Sequence, residues 1–160
     1  MIDKQALLAS VVAHLQEKLH ILSEAKKMAN EEALPDEDTS ESQRENRALE
    51  NQYVVDEQDR VANEYKEAIL AYEAMTPRTF GPGERAEVGA LVELEMGGER
   101  SLYLLGPKAG GLDVPINGSI VCVITPQSPL GQRLIGRNTG DVVVVGGGAH
   151  GREARVTALG

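Results

Sequence analysis

Apolar residues in the first seventy positions recur at alternating steps of four and three. Leu8, Val12, Leu15, Leu19 and Leu22 form one such row, the seam of a helix that packs lengthwise on another. A second row, Ala48, Asn51, Val55, Gln58, Ala62, Tyr65, Ile69 and Tyr72, is apolar toward its carboxyl end and polar toward Asn51. The second helix is therefore expected to pack well at one end only. Between the rows, Asn30 to Ser42 contains Pro35, and proline disfavours helical geometry in the residue before it, so the chain reverses there. The pattern predicts an antiparallel helical hairpin. With helices of about 28 to 35 residues and a rise of roughly 1.5 Å per residue, it would project on the order of 40 to 50 Å. Its base carries the tyrosines, and its tip is left free to meet another molecule.

Beyond Met75 the pattern changes. All 17 glycines lie after residue 80, and of the seven prolines only Pro35 lies before residue 76, so turns belong to the second half. Thr76-Pro77-Arg78-Thr79-Phe80-Gly81-Pro82-Gly83 reads as a linker. Short β-rich runs follow: Val88 to Glu95, Arg100 to Leu105, Ser119 to Thr125, Asp141 to Val145 and Arg152 to Ala158. Gly97-Gly98 is spaced for a hairpin turn, and Gly110-Gly111 and Gly146-Gly147-Gly148 supply further turns. One short helix interrupts the strands. Ser128 suits its cap, Pro129 its first position, Leu130 and Leu134 share a face, and Gly136 ends it. The expected class is α+β: a coiled-coil hairpin over residues 1–75 with its tip at 31–41, a linker over 76–85, and a small antiparallel sheet domain with one short helix over 86–160.

Charge sharpens this division. Residues 1–75 hold 17 acidic and 8 basic side chains while residues 76–160 hold 8 of each, so the whole net charge of −9 sits on the hairpin. Such a balance excludes a protein whose affinity comes from spreading lysine and arginine along phosphates. A length of 160 residues allows one ordinary domain or two small ones. The single cysteine, Cys122, stands in Ser-Ile-Val-Cys-Val-Ile, where burial in a strand is expected rather than catalysis. No long apolar run or charged-then-apolar leader is present. No membrane span or secretory signal is expected, and the cytoplasm is the expected location.

The candidate chemistry lies at the tip. Residues 31–41 carry six carboxylates and no basic residue, and their mutual repulsion favours uptake of a cation. Oxygen-only ligands suit a hard ion such as Mg²⁺, which takes one or two protein carboxylates and completes its shell from water or a partner. Asp38 and Glu41, three residues apart at the start of the second helix, could lie on one side of its first turn. The same spacing also suits an N-cap residue with its reciprocal partner, and acids at a helix amino end complement the dipole. Both explanations stand at this point. His14, His20 and His150 have no partners at zinc spacing. Gly146 to Gly151 precedes a strand rather than a helix, so it reads as a hairpin loop and not as a phosphate loop. No serine, cysteine or lysine nucleophile sits in an activating motif, so the chain is not expected to be an enzyme in its own right.

Taken together, the hairpin, the run Ser128-Pro129-Leu130-Gly131-Gln132-Arg133-Leu134-Ile135-Gly136 and the following Gly140-Asp141-Val142-Val143-Val144 resemble the bacterial Gre transcript cleavage factors. The resemblance spans nearly the whole chain and is most specific in the carboxy-terminal run. It implies an FKBP-like sheet domain that docks on the rim of the secondary channel of RNA polymerase, with Ser128, Pro129 and Leu130 as partner-binding residues. The hairpin would enter the channel as a monomer. Asp38 and Glu41 match the tip pair that helps to hold a Mg²⁺ shared with the polymerase, and Gln52 falls where the family often has glutamine. The implied function is assisted hydrolytic cleavage of backtracked RNA, whose 3′ end the factor meets only within the polymerase, with no cofactor of its own. The tip departs from the family pattern at Glu37, Thr39, Ser42 and Glu45, and the arginine-proline pair of the first helix is missing. Those departures leave a second expectation, a channel binder that does not stimulate cleavage or that inhibits. An FKBP-like domain also raises peptidyl-prolyl isomerisation, against which stands a composition with Phe80 as the single phenylalanine and no tryptophan.

Overall fold

The computed structural model describes residues 2–32 and 40–160. Two long helices, α1 (Lys4–Glu32) and α2 (Glu41–Glu73), are followed by six strands and one short helix. Asp3 starts α1 by accepting from the backbone N–H groups of Gln5 (3.4 Å) and Ala6 (3.2 Å), satisfying donors that a first helical turn leaves open. The helices pair along the two apolar rows, and the Lys26–Asp59 ion pair at 2.5 Å bridges them toward the distal end. The seams fade as their composition demands. Leu8 and Leu15 are buried, Leu19 and Leu22 are half-buried, and every residue from Ser40 to Val54 is exposed. At about 1.5 Å per residue, helices of 29 and 33 residues reach some 45 to 50 Å. The segment that carries Pro35 lies outside the described residues.

The strands β1 (Leu91–Met96), β2 (Glu99–Leu105), β3 (Asp113–Ile116), β4 (Ser119–Ile124), β5 (Val142–Val145) and β6 (Arg152–Leu159) form one sheet in the order β3-β4-β2-β1-β6-β5. The helix α3 (Pro129–Leu134) lies between β4 and β5 in the chain. Two features depart from expectation. The strand β3 lies outside the β-rich runs that the sequence pattern marks, and β2 pairs with β4 in parallel, which makes the sheet mixed rather than antiparallel throughout. The first strand begins at Leu91 instead of Val88 because Gly89, at φ +100°, turns the chain just before it.

Alternation along the strands gives the sheet two apolar faces, and each is covered. On one face Leu104, Val114, Val121 and Val123 pack against Leu7, Val11, Ala68 and Tyr72 from the foot of the hairpin. On the other, Val92, Leu94, Leu105, Ile124 and Val156 pack with Phe80, Ala86 and Leu134 of α3. The foot is fixed by shape as well as by burial. The Tyr72 hydroxyl donates to the Lys108 carbonyl at 2.8 Å, and burial holds its pKa far above the ordinary tyrosine value. Gly106 makes room for that hydroxyl, since a Cβ at this position would overlap it.

A second tie joins the two ends of the described chain. Lys4 is 8% exposed, and its ammonium donates to the carbonyls of Gly89 and Gly160 beside the Phe80 ring, whose centroid is 5.4 Å away. Burial pulls its pKa down from 10.5 to about 8. An unfolded lysine holds its proton up to its ordinary pKa, so between pH 8 and 10.5 the unfolded chain binds more protons and stability rises with pH. Urea melts of wild type should therefore gain stability across that window, by no more than about 1.4 kcal/mol per pH unit for one proton. The Lys4→Met variant should lack this gain. Equal pH slopes for the two proteins would show that Lys4 titrates normally in the fold.

Candidate functional site

Two surfaces carry the residues that the sequence singles out. The distal one is the free end of the hairpin. Glu41 is the first residue of α2, exposed, with Ser40 in the cap position at φ −63° and ψ 152° and no side-chain bond from Ser40 to the helix. Asp38 lies outside the described residues, as do Asp36, Glu37 and Thr39. The position of the helix start nevertheless corrects the capping explanation. A reciprocal pair needs its glutamate at the third helical position, and here Glu41 occupies the first, one residue after the cap. The carboxylate at Glu41 sits where the unpaired N–H groups and the helix dipole favour negative charge. It is held forward on an exposed helix end, with no ion pair to another described residue. Ser42, Glu45 and Gln52 are exposed along the next turns.

Among the described residues no group of three or more histidine, cysteine or acidic side chains is arranged to hold a metal. An exposed carboxylate such as Glu41 fits an ion whose other ligands come from outside the described residues. The histidines stay apart. His14 Nδ1 is 2.8 Å from the Ser10 carbonyl within its own helix, and His20 and His150 are exposed.

The proximal surface is α3 and the loop before it. Ser128 caps the helix, its hydroxyl accepting from the Gly131 N–H at 3.1 Å and donating to the Thr125 carbonyl at 2.7 Å. Pro129 follows at the first helical position and is exposed, while Leu130 is half-buried and Leu134 fully buried. Gly131 packs so closely that a Cβ there would overlap the Thr125 carbonyl. Arg133, whose sequence context carries no sign of its role, reaches from α3 to the free edge of the sheet. Its guanidinium donates to the carbonyls of Val144 and, at 2.8 Å, of Gly146. That contact fixes the orientation of Ser128, Pro129 and Leu130 on the sheet and closes acceptors that an edge strand would otherwise expose. The opposite edge is blunted by Pro115 in β3, which has no N–H to offer.

Cys122 lies on β4 but is half-buried rather than buried, and burial, with Asp113 adding to it, pushes its thiol up to about 11. A thiol so far from ionisation is a poor nucleophile at neutral pH. A cleft of about 880 Å³ opens where α1 begins, between Lys4, Phe80, Leu91, Glu93 and Leu102. Phe80 is its one aromatic wall, unlike the aromatic lining expected of a proline-isomerase pocket. No helix of the described residues is long and apolar enough to cross a membrane.

No family model and no curated protein matches this chain. Among solved structures it is similar to the GreA factor homolog 1 (Gfh1) protein of Thermus thermophilus, at 20% identity and a TM-score of 0.37, covering 97% of this chain and 93% of that one. Thermus aquaticus Gfh1 gives 19% identity and 0.36, with 97% and 92% covered. A further structure of the transcription factor Gfh1 gives 23% and 0.40, with 96% and 91% covered.

Proposed function

We propose that this chain is a regulator of RNA polymerase that docks through its sheet domain at the rim of the secondary channel and extends its hairpin inward. The observation that carries the proposal is the shape of the molecule. Two helices of 29 and 33 residues are locked at their foot to a sheet domain, and the sequence between and beside their distal ends, residues 31–41, carries six acids. A structure of this kind delivers carboxylates across a distance that a flexible loop would span only with loss of entropy. The resemblance of Ser128 to Gly136 to the Gre signature supports the choice of partner.

On this reading α3 is the docking element, with Ser128, Pro129 and Leu130 presented by the cap and by Arg133. Asp38 and Glu41 are the carboxylates offered to a Mg²⁺ that the polymerase holds, and the ion would stabilise charge on the attacking and leaving oxygens during RNA hydrolysis. The chain is then an accessory factor, with the hydrolytic activity residing in the polymerase.

The test is a stalled, backtracked elongation complex incubated with the protein and Mg²⁺. The expected result is RNA shortened from its 3′ end, at least a hundredfold slower with Asp38→Ala or Glu41→Ala, the scale seen when one charge-stabilising group is removed from a reaction centre. No shortening at any protein concentration would sink the cleavage function. A second reading rests on the additional acids Asp36 and Glu37 beside Asp38, which could hold the ion unproductively. Slowed nucleotide addition without shortening would then identify an inhibitor.

A further inference from the structure

The two edges of the sheet are protected by different means. At β3 the device is Pro115, which has no N–H to offer an incoming strand. The β5 strand carries no such residue. Val142 to Val145 is an uninterrupted run of valine, without charge or proline, and Val142 (46%) and Val144 (44%) are exposed. A run of this composition on a sheet edge pairs readily with another strand.

The ladder with β6 settles which backbone groups of β5 face outward. The Val156 N–H donates to the Asp141 carbonyl at 2.8 Å, so Asp141 faces β6. Alternation along an antiparallel strand then turns Val143 and Val145 toward β6 and Val142 and Val144 away from it. An antiparallel copy of β5 centred on Val143 would pair Val142 with Val144 of the second copy and Val144 with Val142 of that copy. Half of the bonds so formed need a Val144 carbonyl as acceptor. Arg133 already occupies that carbonyl: its Nη1 donates to Val144 and, at 2.8 Å, to the next outward carbonyl, Gly146. Both bonds lie at the exposed surface, where a bond to a neutral carbonyl exchanges readily with water. Proline closes the β3 edge permanently, whereas the β5 edge is closed by a side chain that can leave.

We infer that the β5 edge is a self-association site held closed by Arg133, and that a second copy of this chain pairs with it, β5 against β5, once the guanidinium is withdrawn. Two arguments select a second copy. The contact is self-complementary, because each edge offers the outward groups of Val142 and Val144 that the other needs, and the exposed valines would cover one another across the new ladder. Charge also permits it. Residues 76–160 carry 8 acidic and 8 basic side chains, while the acidic hairpin packs over Leu104, Val114, Val121 and Val123, on β2, β3 and β4 toward the other end of the sheet. Two copies joined at β5 therefore keep the like charges of their hairpins apart. The inference does not depend on the proposed function.

The experiment is sedimentation velocity on wild type, Arg133→Ala, and Arg133→Ala combined with Val144→Lys, each across a range of concentrations. Wild type should sediment as a single chain throughout. Arg133→Ala should shift with rising concentration to twice that mass, and the added Val144→Lys should return it to a single chain, because a lysine on an edge strand discourages pairing. Amide hydrogen exchange locates the contact: the Val142 and Val144 N–H groups, outward in the single chain, should exchange about tenfold more slowly in the Arg133→Ala dimer. Circular dichroism checks the fold, and if Arg133→Ala does not fold, Arg133→Met, which keeps an apolar stem over α3 and loses the donors, takes its place. A folded variant that stays a single chain at every concentration overturns the inference. Association that survives Val144→Lys places the contact elsewhere and overturns it as well. Wild type that already dimerises with Val142 and Val144 protected would show that Arg133 does not close the edge, with the same consequence.

Discussion

Replacing Gly106 by alanine should loosen the contact between the hairpin and the sheet. The Cβ would overlap the Tyr72 hydroxyl and crowd its ring carbon and Val123, and Tyr72 is 2% exposed at the centre of the contact between hairpin and sheet. Overpacking of this kind costs on the order of 1 to 3 kcal/mol, and here the loss of the Tyr72–Lys108 hydrogen bond adds about 1 more. Urea denaturation should show Gly106→Ala destabilised by roughly 3 kcal/mol, a large share of a small domain's stability. Tyr72→Phe alone should lose about 1 kcal/mol. The double variant should be less destabilised than the sum, because removing the hydroxyl vacates the place where the new methyl sits. Strict additivity would mean that the hydroxyl and the glycine do not meet in solution.

This contact also shows what the sequence could and could not tell. The heptad rows were plain, and so was the weakening of the second one toward Asn51, because seam residues report their burial through a period that needs no tertiary information. The cap at Ser128 was equally local. Gly106, Tyr72 and Lys108 meet across more than thirty residues, and Lys4 meets Gly89 and Gly160 across a still longer stretch. No local pattern announces such pairings. Lys4 in particular stands in the sequence like any charged residue at a helix start, and its burial follows from where the start of β1 and the end of β6 come together.

The missed strand β3 is a different case, since the signal was present. Asn117 at φ +50° and Gly118 at φ +76° form the two-residue turn between β3 and β4, and Asn-Gly is the favoured pair where both central residues need positive φ. Pro115 would be unsuited to a central strand, where every N–H is needed. In an edge strand its missing N–H points at solvent and nothing is lost. At the hairpin tip, the start of α2 was legible only to within a few residues, and those few decide whether Glu41 caps the helix or projects from it. The helix begins at Glu41 because Ser40 takes the extended geometry of a cap, and this frees the Glu41 carboxylate from a structural duty.

Gly131→Ala should have the largest effect on partner binding among changes that leave the hairpin untouched. The added Cβ would overlap the carbonyl of Thr125 and approach the Ser128 hydroxyl. Unlike the end of a flexible side chain, a backbone carbonyl has little room to give. The Thr125 oxygen also receives the Ser128 hydroxyl and the Ser128 N–H, so moving it breaks the cap as well. The helix α3 would have to lift, pulling Leu134 out of the core and withdrawing Arg133 from Val144 and Gly146. Loss on the order of 3 kcal/mol in stability is expected. Affinity for core RNA polymerase should fall at least tenfold at a temperature where the variant is still folded. Ser128→Ala separates the two effects, since it removes a cap worth about 1 kcal/mol but adds no bulk. If α3 is the docking element, polymerase affinity should track the seating of the helix: mildly reduced in Ser128→Ala, strongly in Gly131→Ala, and unchanged in Lys4→Met. A Gly131→Ala protein that is destabilised as expected yet binds polymerase like wild type would move the docking element away from α3, leaving Ser128, Pro129 and Leu130 with a structural role only.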